Sequence, residues 1–251
     1  MKLKLATFNI QHGVDHAIKI AEEGRIVVDL ERVAKHIAQM GVEVCTLQEI
    51  YNCPPNGIYP DQPGDIANQL GGWYSAHAKA IDVIRSDGAK RPYGNGIVTQ
   101  YPIKNMRTVP LVVPADQRVE GRHYEDRVLM IAELDLGEGK TLTVMNCHFC
   151  LTAEGQKVAT DTILAEKEKI SGPVVLTGDF NLLPDNPYAL QLKAAFDDTE
   201  DYMEGSVLTF PSHAPRIKID YIFTSGLKIE KAYVVPGVIS DHLPIVAELE
   251  V

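Results

Sequence analysis

Short segments in which polar and apolar residues alternate, or in which apolar residues follow one another, recur along the whole chain. Alternation with a period of two places every second side chain on one face of a strand, and short unbroken apolar runs are typical of strands covered on both faces. The segments that predict strands are 3–9, 42–47, 73–80, 97–99, 128–131, 141–148, 174–176, 217–223, 229–235 and 245–249. The pattern therefore predicts a chain rich in short strands.

Fewer segments show the spacing of a helix. The clearest helix is predicted at 30–40, where Asp29 can cap the first turn and Gly41 ends the last one. Further helices are expected at about 65–70, at about 153–169, and in a segment that ends near residue 195. A few helices among many strands, without a repeat or a linker, predict one α/β domain over residues 1-251 with two packed sheets.

Three stretches are expected to be loops, because they are polar or rich in proline and glycine. They are 11–24, 51–64 and 86–92. His12 and His16 lie in the first of these stretches, and we expect both side chains to be exposed to solvent.

The composition narrows the range of partners. The chain has 251 residues, 45% of them hydrophobic, and a formal net charge of −10. An acidic surface repels polyanions, so tight non-specific binding to nucleic acid is disfavoured unless a local basic patch overrides the average. The first nine residues alternate like a strand, and no apolar run approaches the ~20 residues of a membrane span. We expect a cytoplasmic protein without membrane insertion; the oligomeric state stays open, with a monomer favoured.

The chain has four cysteines, and they do not predict a disulfide framework. They are Cys45, Cys53, Cys147 and Cys150. Reduced thiols are typical of a cytoplasmic protein. Cys147 and Cys150 have the spacing of a redox motif, but residues three apart on a strand face opposite sides, and a zinc site would require a second Cys/His pair at ligand spacing. Redox or zinc chemistry is therefore not favoured.

The sequence Thr-Gly-Asp-Phe-Asn at 177–181 follows the apolar run 174–176. Gly178 lets the backbone turn, and Asp179 and Asn181 stand where the predicted strand ends. Residues two apart in extended chain point the same way, so this pair offers a proton acceptor or metal ligand beside a neutral amide. Glycine, aspartate and asparagine are equally typical of a polar turn. The stretch alone leaves both interpretations open.

Basic residues are concentrated between positions 107 and 127 of this acidic chain. They are Arg107, Arg118, Arg122, His123 and Arg127. One interpretation is a solvated loop whose acidic neighbours pair with them, and the other is a lip that attracts an anionic substrate. Arg127 directly precedes the apolar run 128–131, so it is the member of the set that we expect to point inward.

Polar residues stand at or within the ends of many predicted strands, where a rigid scaffold displays reactive groups. They are Asn9, Glu49, His148, Asp179, Asn181, Asp220, Asp241 and His242. Each has an ordinary structural explanation as a turn, surface or core residue. Asp220 is harder to explain in that way, because it interrupts an apolar segment and a carboxylate there requires a partner, for which a histidine is well suited.

These residue types fit one chemistry. Glu49 and Asp241 are hard oxygen ligands, which suit Mg²⁺ or Mn²⁺ better than zinc. Two histidines supply proton transfer or positive charge near neutral pH, and an aspartate can hold a histidine in one tautomer. Hydrolysis of a phosphate ester depends on such charge stabilisation and on alignment of the nucleophile.

Seven short motifs follow one another from end to end of the chain. They are Thr7-Phe8-Asn9-Ile10, Leu47-Gln48-Glu49-Ile50, Gly94-Asn95-Gly96-Ile97 with Tyr101-Pro102-Ile103, Asn146-Cys147-His148, Gly178-Asp179-Phe180-Asn181, Ile219-Asp220-Tyr221-Ile222-Phe223, and Ser240-Asp241-His242-Leu243-Pro244. In this order they resemble the endonuclease/exonuclease/phosphatase superfamily, whose fold is the one seen in pancreatic deoxyribonuclease. Lys218, Gly96 and Cys147 depart from common residues of that superfamily at positions outside the core chemistry.

The resemblance implies a four-layer α/β sandwich with two packed mixed β-sheets. It implies that Glu49 binds the divalent metal with Asn9 and Asp241 in its shell, and that Asp179, helped by Asn181, orients or deprotonates the attacking water. It further implies that His148, and His242 paired with Asp220, hold the phosphate and stabilise its developing charge. Asn95 and Arg127 are weaker candidates for contacts with the phosphate or with the residues around it.

The resemblance leaves the substrate open, since members cleave DNA, RNA, phosphoinositides, sphingomyelin and nucleotide cofactors. The net charge of −10 argues against an endonuclease with a broad basic face, and a single Trp argues against a membrane-inserting sphingomyelinase. We expect hydrolysis of a phosphodiester, nucleic acid or smaller, by in-line attack of water with Mg²⁺ or Mn²⁺. The alternatives are a phosphomonoesterase acting on a small metabolite or lipid headgroup, and a catalytically inactive binding protein.

Overall fold

Two six-stranded sheets organise the computed structural model, which describes residues 1–53, 61–84 and 88–251. The strands of the first sheet are β1 (Lys2–Asn9), β2 (Val44–Tyr51), β3 (Tyr74–Ile84), β4 (Lys90–Thr99), β11 (Lys228–Val234) and β12 (Ile245–Glu250), in the order β11-β12-β1-β2-β4-β3. Those of the second sheet are β5 (Ile103–Leu111), β6 (Arg127–Gly137), β7 (Lys140–His148), β8 (Val174–Asp179), β9 (Asp197–Asp198) and β10 (Asp220–Ser225), in the order β5-β6-β7-β8-β10-β9.

Both sheets are mixed and share one core. The pairs β1–β2 and β7–β8 are parallel, whereas their neighbours are antiparallel. Apolar side chains of the two sheets meet face to face, for example Leu5 and Val44 from the first sheet with Met130, Val175 and Ile222 from the second. This arrangement confirms the prediction of two packed mixed β-sheets.

Helices cover the outer face of each sheet. They are α1 (His16–Ala21), α2 (Leu30–Met40), α3 (Gln62–Gln69), α4 (Ala153–Lys167) and α5 (Pro187–Ala195). Ile37 of α2 and Ile66 of α3 pack into the cluster outside the first sheet, and Ile163 of α4 and Leu192 of α5 into the cluster outside the second. The order helix, sheet, sheet, helix is the expected four-layer α/β sandwich. None of the helices in the described part of the chain is long and apolar enough to cross a membrane.

The predicted helix at 30–40 is confirmed with its caps. The Asp29 side chain accepts a hydrogen bond from the Arg32 N–H at 2.9 Å, and Gly41 adopts a left-handed φ of 64°. Sequence signals at helix ends were sufficient here because each cap is a local interaction of one side chain or one residue.

The expectation of an irregular, solvated loop at 11–24 is wrong. A short 3₁₀ turn and α1 form there, and the Asp15 side chain caps α1 by accepting from the Ile18 N–H and also pairs with Arg32. His16 is buried and its ring lies 5.9 Å from that of His213. Burial lowers the pKa of His12 and of His16. The tertiary contact with Arg32 stabilises a helix too short to be recognised from its own spacing.

The other two predicted loops are partly wrong. Asp61 caps α3 by accepting from the Gly64 N–H, so the loop at 51–64 ends before Gln62; its residues 54–60 lie outside the described part. The stretch 86–92 was expected to be a connection, but β4 begins at Lys90 and pairs with Ile84 of β3. Residues 85–87 also lie outside the described part.

Different arginines of the basic segment 107–127 fit different interpretations. Arg107 lies in β5 and binds Glu166 of α4, while Arg118 and Arg122 pair with nearby acidic side chains as a solvated loop would. Arg127 points inward as expected and is 9% exposed. The segment therefore brings one of its arginines, Arg127, to the strand ends that carry the polar motifs.

Candidate active site

Three neighbouring strands of the second sheet align three of the predicted site residues. In the parallel pair β7–β8, His148 lies opposite Asp179, and in the antiparallel pair β8–β10, Asp179 lies opposite Asp220. All three side chains are buried. His242, from the loop before β12, joins the row, because its Nδ1 lies 2.9 Å from Oδ2 of Asp220.

The first sheet contributes Asn9 and Glu49. Asn9 ends β1, and Glu49 has a φ of 59° at an irregularity in the pairing of β2 with β4. The Asn9 Nδ2 group donates to Glu49 Oε1 at 3.1 Å and to Asp179 Oδ2 at 3.0 Å. Asn9 thereby links the carboxylates of the two sheets across the sandwich, and its own oxygen accepts the Gln11 N–H at 3.1 Å.

Arg127 fixes the tautomer of His148. Its Nη1 lies 3.3 Å from Nδ1 of His148. A guanidinium only donates, so Nδ1 accepts and Nε2 carries the proton. That Nε2 lies 3.4 Å from Oδ2 of Asp179. Burial, with the charges of Arg127 and His242, holds the pKa of His148 well below its usual value. His148 is therefore a neutral donor at neutral pH.

His242 has the opposite charge state. Burial opposes its protonation, but the neighbouring carboxylates of Asp220 and Asp179 prevail and raise its pKa. Its Nε2 lies 3.6 Å from Oδ2 of Asp179, the same oxygen that faces Nε2 of His148. Burial also raises the pKa of Asp179. One acidic oxygen is thus flanked by a cationic imidazolium and a neutral imidazole.

Asn181 lies two residues beyond Asp179, the last residue of β8. Its backbone N–H donates to Asp179 Oδ1 at 3.1 Å, and its side-chain Nδ2 donates to the Phe149 carbonyl at 3.1 Å. The left-handed φ of 49° turns the chain here, which asparagine tolerates better than most residues. Asn181 therefore orients one oxygen of Asp179 and leaves the other to the histidines.

The carboxylates of Glu49 and Asp241 fit a divalent cation. Burial raises the pKa of Glu49 and the like charge of Asp241 raises it further, although the Asn9 hydrogen bond lowers it. Two carboxylates that repel one another beside a cleft are stabilised by a cation, and hard oxygen donors suit Mg²⁺ or Mn²⁺. The Asn9 oxygen retains one lone pair beyond its bond to Gln11.

A second acidic group offers ligand atoms too. Asp179, Asp220 and His242 present theirs within 4.8 Å of one another. Nδ1 of His242 and Oδ2 of Asp220 are bonded to each other, whereas Oδ1 of Asp220 has no hydrogen-bond partner among the described residues. Glu49 and Asp241 stay the ligands that the resemblance predicts.

Asn95 lies apart from these groups. It is buried, and its Nδ2 donates to the carbonyls of Val128 at 3.0 Å and Asn146 at 3.5 Å. Asn95 thus bridges the first sheet to the second and does not line the cleft described below. Its contact with a phosphate remains only a prediction from the resemblance.

Sequence reasoning missed several residues around the site. Gln11 donates to Asp241 Oδ2 at 2.6 Å and accepts from Lys19 at 3.3 Å. The Phe210 ring lies 4.9 Å from that of His242. Gln11 directly follows the first motif, a weak signal that was available, whereas nothing in the sequence connected Phe210 with a histidine 32 positions away.

The site opens into a cleft of about 610 Å³. Its lining consists of Glu49, Arg127, His148, Leu151, Asp179, Asn181, Leu183, Phe210, Ile217, Ile219, Asp241 and His242. Seven of the ten predicted site residues meet there, while Asn9 and Asp220 lie behind them and position their neighbours.

A model of the Endonuclease/Exonuclease/phosphatase family matches residues 6–242. The chain belongs to this family. Members of the endonuclease/exonuclease/phosphatase family are hydrolases of phosphate esters, which is the chemistry that the grouped carboxylates and histidines suggest.

One curated relative of this family member is a bacterial protein of low sequence identity. The chain is 28% identical over 180 residues to a UPF0294 protein of Vibrio cholerae, an alignment that covers 69% of this chain and 59% of that protein. The chain thus spans about three-fifths of the length of that curated relative.

Solved structures share the fold. An endonuclease/exonuclease/phosphatase from Beutenbergia cavernae superimposes with a TM-score of 0.76 at 23% identity, covering 100% of this chain and 72% of that chain. A mannosyl-6-phosphatase from Bacteroides thetaiotaomicron gives 0.75 at 17% identity, covering 99% of this chain and 100% of that one. At these identities the similarity shows the fold alone.

Proposed function

We propose that the protein is a divalent-metal-dependent phosphoesterase that hydrolyses a phosphodiester by in-line attack of water. The observation that supports this proposal best is the surroundings of one Asp179 oxygen. Nε2 of His148 and Nε2 of His242 lie 3.4 and 3.6 Å from it, and Glu49 and Asp241 line the same cleft. A base, two donors and a pair of metal-ligating carboxylates are the groups that this reaction requires.

Asp179 acts on the nucleophile. Its Oδ1 is held by the Asn181 N–H, and its Oδ2 accepts from Asn9. A raised pKa makes this carboxylate a better proton acceptor than an exposed aspartate. Asp179 orients a water molecule and accepts its proton as the water oxygen attacks phosphorus. The ester P–O bond opposite the water breaks, and the leaving alkoxide takes a proton from solvent.

The two histidines act on the phosphoryl oxygens. His242 presents a charged Nε2–H, maintained by Asp220, and His148 presents a neutral Nε2–H, maintained by Arg127. Preorganised donors aimed at the oxygens that gain charge stabilise the transition state more than the ground state.

Glu49 and Asp241 would hold the Mg²⁺ or Mn²⁺, with the Asn9 oxygen beside them. When bound, the ion polarises a phosphoryl oxygen and neutralises developing charge. Gln11 contributes by holding the Asp241 carboxylate in place.

A phosphomonoesterase is the second candidate, and Arg127 favours it. Its Nη atoms bind Glu125 and His148, but among the described residues its buried Nε has no hydrogen-bond partner. Arg127 lines the cleft, and the positive charge of a guanidinium there suits the second negative charge of a monoester. The net charge of −10 favours a small substrate of either kind over nucleic acid.

The test is hydrolysis of bis(p-nitrophenyl) phosphate, p-nitrophenyl phosphate and plasmid DNA with Mg²⁺ or Mn²⁺. We expect diester cleavage that falls about 10²–10³-fold in Asp179→Ala and in His242→Ala. Asp161→Ala changes an exposed aspartate of α4 and is the matched control. Cleavage of the monoester alone selects the second candidate, and diester cleavage that survives both site variants contradicts the assignment.

A further inference from the structure

The cleft has a polar half and an apolar half. The polar half is the phosphoesterase site. The other half consists of five side chains, here called the apolar wall: Leu151, Leu183, Phe210, Ile217 and Ile219. They come from three separate segments, which are the turn between β7 and α4, the loop after β8, and the chain that leads into β10.

Two members of the apolar wall are unusually exposed. Leu151 is 77% exposed and Leu183 is 47% exposed, and neither belongs to the hydrophobic clusters that hold the sheets and helices together. A single exposed leucine requires no explanation. Two that share one concave cleft with three other apolar side chains form a surface suited to an apolar ligand.

The apolar wall adjoins the groups that act on the phosphate. Phe210 packs on His242 with ring centroids 4.9 Å apart. Ile219 directly precedes Asp220, and Leu183 follows two residues after Asn181. A group esterified to a phosphate at His242 therefore lies against the apolar wall.

The size and charge of the cleft restrict what that group is. Its volume of about 610 Å³ lies within the range of ~300–1,000 Å³ typical of small-molecule sites, and a phosphoryl group fills a minor part of it. The arginine of the lining, Arg127, lies in the polar half, whereas a nucleic acid strand would require basic contacts at successive phosphates.

We propose that the apolar wall binds the alcohol portion of the substrate, so that the substrate is a small phosphate ester of an apolar, alkyl or aryl, alcohol. This inference rests on the proposed phosphoesterase function and specifies its substrate class. The phosphate is held by the histidines, and the apolar body of the alcohol displaces water from Leu151, Leu183 and Phe210.

Alkylphosphonates test this inference, because each carries one phosphorus head and one substituent and is not hydrolysed. Dissociation constants of methyl-, butyl-, hexyl- and phenylphosphonate are measured by titration calorimetry with Mn²⁺ present. Each methylene that reaches the apolar wall tightens binding about two- to fourfold, so hexylphosphonate binds at least about tenfold more tightly than methylphosphonate. Tighter binding of phenyl- than of hexylphosphonate assigns an aryl alcohol, and the reverse assigns an alkyl alcohol.

The double variant Leu151→Ser with Leu183→Ser connects this preference to the apolar wall. Both side chains are exposed, so folding is retained, and an unchanged melting temperature verifies it. We expect the hexyl-to-methyl ratio to fall to about threefold or less, with methylphosphonate binding unchanged. Leu190→Ser is the matched control, since Leu190 is 52% exposed on α5 and does not line the cleft.

The outcomes separate the two proposals. Binding independent of chain length, no phosphonate binding, or a chain-length preference that persists in the double variant overturns the inference. Diester hydrolysis together with any of these results leaves the phosphoesterase function standing. Chain-length-dependent binding without hydrolysis of any phosphoester supports the apolar wall and contradicts the phosphoesterase function.

Discussion

His242 Nδ1 lies 2.9 Å from Asp220 Oδ2, although the two residues are 22 positions apart and only Asp220 belongs to a strand. Asp220→Asn keeps the size of the side chain and removes its charge. We expect kcat for the diester to fall about 10²–10³-fold, because the charged form of His242 is no longer favoured. The downfield proton signal of the His242 Nδ1–H should disappear with it, whereas a merely structural loss would lower the melting temperature and leave that signal in the folded fraction.

Arg127→Gln tests the tautomer of His148. Without the guanidinium, Nδ1 of His148 is free to carry the proton, and Nε2 no longer donates to the phosphate. A decrease of about 10–10² in kcat is expected. Arg122→Gln is the control, because Arg122 pairs with Glu154 on the surface and should leave kcat unchanged. Equal activity of the two variants would contradict the role of Arg127.

Glu49→Gln tests the metal site without an activity assay. The amide retains the shape of the carboxylate but not its charge, so Mn²⁺ should bind about tenfold or more weakly. Calorimetric titration of the purified protein measures this directly. Glu120→Gln, at an exposed position of the 107–127 segment, should bind Mn²⁺ as the native chain does. Undiminished affinity in Glu49→Gln would place the metal elsewhere.

Gly178→Ala tests whether the backbone of the motif at 177–181 tolerates a side chain at this position. A Cβ at this position would lie 2.0 Å from the Cys147 carbonyl oxygen, and its φ is +151°. Gly178→Ala should therefore lower the free energy of unfolding by about 2–4 kcal/mol. Gly172→Ala, whose Cβ would meet nothing within 4 Å, is the control. Urea unfolding compares them, and equal midpoints would show that the strands tolerate the side chain.

His77 of β3 makes stability depend on pH. Burial lowers its pKa to about 4, so the unfolded chain binds its proton more readily than the folded one. The stabilisation is fully present above pH 6.5 and is lost as the pH falls towards 4. Between pH 7 and pH 5 the native chain should lose about 1–2 kcal/mol more than His77→Gln. Urea unfolding at both pH values measures the difference, and parallel losses would contradict it.

The sequence predicted most of the strands and the clearest helix because both depend on local signals. Periodic apolar residues located β1 and α2, and the polar residues Glu49, Asp179 and His242, selected because they stand at strand ends, line one cleft. The resemblance supplied the four-layer arrangement.

The remaining features depend on contacts between distant segments. The helix at His16–Ala21 is stabilised by the pairing of Asp15 with Arg32. The bond from Gln11 to Asp241 spans 230 positions. The apolar wall joins Leu151, Leu183 and Phe210 from different loops, and no spacing along one segment could reveal it.

The register of β7, β8 and β10 sets His148, Asp179 and Asp220 side by side on three successive strands. Adjacent strands lie about 4.8 Å apart in any sheet. The spacing of the strands therefore fixes the distances between these side chains, while residues of the neighbouring loops line the rest of the cleft. Under the proposed function, exchanging residues such as Leu151 and Leu183 would change the substrate while the three strands keep the reacting groups in place.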